Sequence, residues 1–172
     1  AEEPILYFTG HFGSWEMAGR YASGVGKGGA SIYRIQKNPM VDWFLTWIRE
    51  YHHLKLINSW SGMPAFEDAI KEYTCLAVVG DQFKGKKGLE IDFFGIPSST
   101  PKGAAILTYR VKPRLVFLAC TQHRGRYKIK TEELEYELPE TMTEEWMHDI
   151  TQQLTNKLEA EIRKYPEQYF WF

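Results

Sequence analysis

His11 sits between Gly10 and Phe12 in the stretch FTGHFGSWEMAG, residues 8–19, and Glu16 follows five positions later. A histidine with a carboxylate is the minimal equipment of a general base. The imidazole takes a proton near neutral pH, and the carboxylate holds the ring and stabilises its cation. Successive helical side chains turn by about 100°, so a five-residue spacing puts two of them on different faces. The pair therefore cannot be two neighbours on one helix. Pro4–Ile5–Leu6–Tyr7–Phe8–Thr9 reads as a short apolar strand, and Trp15–Glu16–Met17–Ala18 as a good helix former. Between them, Ser14 is a candidate N-cap, and Glu16 falls in the first turn, where its charge suits the helix dipole. His11 then lies in the connecting loop, from which it can fold back onto Glu16.

Other residues with chemical potential are less organised. His52 and His53 are adjacent, so strand or helix sends them in different directions, while His123 falls in a turn and His148 on the polar side of a helix. No H-E-x-x-H or similar spacing occurs, and no metal is expected. Cys75 and Cys120 lie inside apolar strand-like runs and read as small buried hydrophobes in a reducing compartment. Gly24–Gly29 spells G-x-G-x-x-G but follows a helix and precedes a strand, the reverse of a dinucleotide fingerprint, so it reads as a helix-ending loop. Gly80–Lys87 approximates a phosphate-binding P-loop but lacks its Ser/Thr and runs into an extended segment, Leu89–Phe94. Its lysines read equally as an anion contact or as a solvated turn.

The elements that must position these residues alternate in type. Strand-like runs are Ile5–Thr9, Ser31–Gln36, Leu54–Ser59, Leu76–Gly80 and Leu115–Thr121, with helical patterns at Ser14–Ser23, Met40–Tyr51, Met63–Tyr73 and Thr100–Val111. This alternation predicts an α/β fold, a mixed sheet flanked by helices. Arg126–Lys130 reads as an edge strand paired with Leu115–Thr121 across His123–Arg124–Gly125, and a last helix spans Glu144 to Lys164. With 172 residues, 44% hydrophobic and 25% charged, the chain suits one globular domain. The formal net charge of −1 excludes strong bulk attraction to nucleic acid. Aromatics make up 15%, including six Trp, which suits an apolar ligand or simply a well-filled core. No run approaches the roughly 18 apolar residues of a membrane span, and no signal peptide is evident.

Four ordered blocks resemble one family, the bacterial lipid A late acyltransferases of lauroyl or myristoyl type, within the wider glycerolipid (His-x4-Glu lysophospholipid) acyltransferases. Gly10–Glu16 resembles the His-x-x-x-x-Glu active-site block. Tyr33–Arg34, Lys37–Asn38–Pro39, Asp42 and Arg49 resemble the second. Gly80–Asp81–Gln82, Phe93–Pro97 and Thr100–Ala104 resemble the third, and Tyr165–Trp171 the C-terminal signature. The family usually adds a membrane-associated N-terminal segment and a basic run after the tryptophan. Residues 1–172 thus read as a single acyltransferase domain without either.

The resemblance implies a glycerolipid acyltransferase-like fold and transfer of a fatty acyl chain from a thioester, acyl carrier protein or coenzyme A, to a hydroxyl of a lipid A precursor. His11 would be the base and Glu16 its helper; no cofactor is needed beyond the acyl co-substrate. Arg49 and Asp81 would line the substrate cleft, and Lys84, Lys86, Lys87 and Lys102 would meet phosphates of acceptor, carrier or anionic lipid. The implied place is the cytoplasmic face of a bacterial inner membrane, at the membrane surface and with no nucleic-acid partner. Alternatives are acylation of lysophosphatidic acid or of a glycolipid such as a phosphatidylinositol mannoside, a thioesterase, or an acyl-binding module.

Overall fold

The computed structural model describes residues 3–24, 28–51, 53–82 and 85–171. Strand β1 (Ile5–Thr9) leads through α1 (Trp15–Ser23) to β2 (Gly29–Tyr33), and α2 (Pro39–Tyr51) leads on to β3 (Leu54–Asn58). Next come α3 (Gly62–Glu72), β4 (Cys75–Val79), β5 (Leu89–Phe93), β6 (Ile96–Thr100) and α4 (Gly103–Val111). A hairpin of β7 (Arg114–His123) and β8 (Arg126–Leu134) precedes α5 (Glu144–Lys164). Six strands form one sheet in the order β3-β2-β4-β1-β7-β8. The first five run parallel, and β8 is antiparallel to β7. This is the α/β architecture expected from the alternating pattern.

All five residues of β1 are buried, as a central parallel strand covered on both faces requires. Leu6 and Phe8 enter one core with side chains of α3, α4 and α5, while Ile5 and Tyr7 meet Ala18 and Ala22 of α1 on the other face. On α5, Met147, Ile150, Leu154, Leu158 and Ile162 are all buried, a helical stripe with spacings of three and four. The Thr143 hydroxyl caps this helix by accepting from the Trp146 N–H at 3.1 Å. Cys75 and Cys120 are free and buried. Burial pushes the Cys75 thiol up to about 12, so it stays protonated and behaves as the expected small hydrophobe.

Several boundaries differ from the sequence reading: β8 runs on to Leu134, four residues past Lys130, and those of β2 and α4 bear on the loops around the site. Strand β2 starts at Gly29 and stops at Tyr33, because Asn38 prepares α2: its Oδ1 accepts the Met40 N–H at 2.9 Å, with Pro39 as the first helical residue. Residues 96–100 form a strand, so α4 begins at Gly103 and not at Thr100. The β5–β6 turn uses Phe94 and Gly95 at φ 58° and 79°, where Asn-Gly would be the usual signal. Tertiary contacts hold Phe94 there. Its N–H donates to the Glu159 carboxylate at 2.8 Å, and the Arg163 guanidinium lies 4.7 Å from its ring centre.

Helix α2 buries none of its side chains. Trp43, Trp47 and Tyr51 recur every fourth residue and form a ladder, with ring centres 6.3 Å and 5.9 Å apart. Met40 is 80% exposed and Trp43 67%, and Trp60 nearby in sequence is 77% exposed. Among the described residues no helix is long and apolar enough to cross a membrane.

Candidate active site

Strands β1 and β4 are parallel neighbours with Thr9 opposite Val79, so their following loops leave side by side. The Gly80 N–H extends the ladder by donating to the Thr9 carbonyl at 3.0 Å. After β1 the chain turns to α1 on one face. After β4 it crosses to α4 on the other. The crevice outside these two strand ends is thus a topological switch point, where open α/β sheets place ligands.

His11 and Asp81 meet in that crevice. The Asp81 carboxylate accepts the His11 backbone N–H at 2.7 Å and faces Nδ1 of its ring at 2.6 Å. An ionised carboxylate only accepts, so the Nδ1 of a neutral ring carries the proton and Nε2 keeps its lone pair. Nε2 lies 3.5 Å from the Gln82 amide nitrogen, too far for a strong bond. The Asp81 side chain is 5% exposed and that of His11 22%. A sheltered carboxylate thus orients an accessible imidazole. A side chain at Gly10 would leave no room for this approach: a Cβ there would lie 2.9 Å from Asp81 Oδ2 and 2.6 Å from Leu158.

The expected contact between Glu16 and His11 is not formed. Glu16 is the second residue of α1 and reaches instead to the last turn of α2. There Arg49 grips it with two bonds, Nε to Oε2 at 2.9 Å and Nη2 to Oε1. This forked hydrogen bonding raises the Arg49 pKa further. Arg49 is therefore occupied by Glu16, and Asp81 supplies the carboxylate at the imidazole. Ser14 does precede α1, but its side chain makes no capping bond. Its N–H donates to the Cys120 carbonyl at 2.7 Å, tying the loop to β7.

A strap after α5 completes the site, and the sequence reading assigned its residues no role there. The Gly13 N–H donates to the Gln168 carbonyl at 2.8 Å, and the Phe170 N–H to the His11 carbonyl at 3.0 Å. Phe12 and Tyr169 form an antiparallel bridge. The His11 ring centre lies 5.3 Å from that of Trp15 and 6.4 Å from that of Phe170. Burial, and then the nearby Asp81 charge, raise the Tyr169 pKa. The only advance signal was the resemblance of Tyr165–Trp171 to a family signature, which does not say what the segment touches.

Of the four lysines, Lys84 lies outside the described residues. Lys86 and Lys87 are exposed in a 3-10 turn at Gly85–Lys87, and Lys102 is exposed just before α4. None of these three forms an ion pair among the described residues, so all three keep their charge open to solvent. No group of three His, Cys, Asp or Glu there has metal-binding geometry.

An accessible imidazole with a fixed tautomer can accept a proton from a hydroxyl brought to Nε2. No curated protein matches the sequence significantly. The family of bacterial lipid A biosynthesis acyltransferases matches over residues 1–172. The chain belongs to that family and is an acyltransferase of lipid A biosynthesis.

Proposed function

We propose that His11 is the general base that activates a hydroxyl of a lipid A precursor for attack on an acyl thioester. The observation that carries this reading is the Asp81 carboxylate on Nδ1 at 2.6 Å, which leaves Nε2 free to accept. In the forward step Nε2 takes the hydroxyl proton as the oxygen bonds to the thioester carbonyl carbon. The tetrahedral adduct then expels the thiolate of acyl carrier protein or coenzyme A, and the imidazolium returns the proton to sulfur. Asp81 stabilises the cation between these events, as the carboxylate of a Ser-His-Asp triad does. The acceptor supplies the hydroxyl, so neither a protein nucleophile nor a resident cofactor is required. Glu16 acts through Arg49, fixing α2 to α1. Lys86, Lys87 and Lys102 are available to anionic groups of acceptor or donor.

The test is mass spectrometry of a lipid A precursor incubated with this chain and mixed acyl carrier protein and coenzyme A thioesters. Acceptor mass should rise by one acyl unit and the gain should require His11. Free fatty acid released at the same rate without acceptor would instead identify a thioesterase, and a gain only on lysophosphatidic acid would move the acceptor class.

The same reading includes a lipid surface at α2. Its exposed aromatic ladder, with Arg34 and Lys37 exposed just before it, has the composition of helices that lie in a headgroup region. Changing both Trp43 and Trp47 to Ser should lower binding to vesicles containing anionic phospholipid about tenfold or more. Little stability should be lost, since both side chains are exposed. Unchanged vesicle co-sedimentation would remove α2 from the proposal.

A further inference from the structure

Charge is divided unevenly along the β7–β8 hairpin. Arg124, Arg126, Lys128 and Lys130 come first with no carboxylate among them, and Glu132, Glu133, Glu135 and Glu137 follow with no cation. Two of those carboxylates are neutralised: Glu132 by Lys130 at 3.0 Å and by Lys157, and Glu133 by Arg114 at 2.6 Å. Arg124, Arg126 and Lys128 are exposed and form no ion pair among the described residues. Strand β8 starts opposite His123 at the end of β7, and β7 runs parallel to β1. The basic half therefore lies at the catalytic edge of the sheet and the acidic half at the far edge. Gln168 ties the tip to the strap by exchanging two bonds with the Gln122 backbone, at 2.9 and 3.0 Å. An open cleft of about 390 Å³ lies there, lined by Gly13, Gln122, Arg124, Gly125, Glu167 and Gln168. Arg124 occupies the tip at φ 48°, a turn position that Asn or Gly fills at lower cost.

We infer that this tip is the docking surface for an acidic acyl carrier protein, which presents its thioester to His11 from the β8 edge of the sheet. The inference rests on the reading of a thioester as the acyl donor. Uncompensated cations gathered on one tip raise the local potential in a chain whose formal net charge is −1, and they attract and orient an anionic partner. Arginine grips phosphate with paired bonds, so Arg124 suits the phosphate that joins a carrier to its pantetheine arm. Arg126 and Lys128 share one face of β8, the face from which Lys130 reaches Glu161 of α5 at 2.8 Å. The position also separates the two substrates. Strands β3 and β8 are the opposite edges of the sheet, about 24 Å apart at the usual strand spacing. Helix α2, the surface assigned to lipid, precedes β3. A donor at β8 and a lipid acceptor at α2 then approach the inner strand β1 from opposite edges, which favours a protein over a lipid surface at the tip.

Binding of fluorescent acyl carrier protein to a His11→Ala background, followed by anisotropy, reads docking without turnover. Changing Arg124, Arg126 and Lys128 together to Glu should weaken it about tenfold or more in low salt. The difference should shrink toward 1 M salt, where the screening length falls to about 3 Å. Stability should change little, since all three side chains are exposed. Reversing Lys55, Lys71 and Lys112, exposed elsewhere, shifts net charge equally and should leave the Kd within about twofold. In the active chain, KM for the acylated carrier should rise with the Kd, while KM for a coenzyme A thioester stays within about twofold. Should the reversal fold poorly, Arg124→Asn with Arg126→Ser and Lys128→Ser keeps a residue suited to the turn and should still weaken binding about threefold. An unchanged Kd in a folded variant would overturn the inference, as would equal weakening by the two sets of reversals. Equal KM increases for both donors would do the same, reducing the tip to a phosphate contact. So would lost binding to anionic phospholipid vesicles with carrier affinity intact, which would put the tip on lipid. Transfer from a coenzyme A thioester without carrier binding sinks the docking and leaves His11 as the base. Carrier binding at the tip without transfer from any thioester does the reverse.

Discussion

Asp81→Asn should lower turnover by about 10² to 10⁴, nearly as far as His11→Ala. An asparagine can point its amide NH2 at Nδ1, which stabilises the tautomer with the proton on Nε2. The nitrogen that must accept the hydroxyl proton is then already protonated. KM should change little, because Asp81 contributes most as the imidazolium forms. The double variant should be little worse than His11→Ala alone. Glu16 belongs to a different unit, so in double-mutant cycles it should couple more strongly with Arg49 than with His11. Steady-state kinetics with a lipid A precursor and an acyl thioester provide the measurement. Full activity in folded Asp81→Asn would show that the short contact to His11 has no catalytic weight.

The largest structural effect is expected at Gly13. Its φ of +58° is in the left-handed region, and a Cβ there would lie 2.1 Å from the Cys120 carbonyl oxygen. That oxygen cannot move cheaply, since it belongs to β7 and already accepts the Ser14 N–H at 2.7 Å. Gly13→Ala should therefore cost about 3 kcal/mol or more, combining backbone strain with a main-chain collision. For a chain of this length that lowers Tm by roughly 10 °C. Turnover should fall as well, because relief requires the His11 loop to leave β7. Gly103→Ala is the control. Nothing lies within 4 Å of a Cβ there, and the residue opens α4, so this change should leave Tm level or slightly higher. Equal melting of the two variants would refute the account of the loop.

Local patterns were legible where local physics decides. The expected α5, Glu144 to Lys164, matches the observed helix, because Thr143 caps it and Pro166 stops it. The β7–β8 turn at Arg124 and Gly125 was equally plain. The strand Ile96–Thr100 was not, since a proline and two serines weaken its pattern and Phe94 takes a turn position through contacts with α5. The site divides in the same way. His11 stood out in the sequence, but its partner was assigned by proximity along the chain. The carboxylate that reaches it is 70 residues away, delivered by the parallel register of β1 and β4. Spacing alone cannot report such a contact. Resemblance brought Asp81 to the cleft in a substrate-binding role, and only the fold sets it on the imidazole.

The placement of β1 also governs how this molecule comes into being. Strand β1 is central, and its two neighbours begin well after it in the chain, at Cys75 and Arg114. At about 5–20 residues per second, a ribosome takes several seconds to supply the second of them. Throughout that interval a largely apolar strand has no completed sheet to enter. The strap at Gln168–Phe170 comes later still. The site at His11 therefore takes shape only after both neighbours of β1 and this strap have been made.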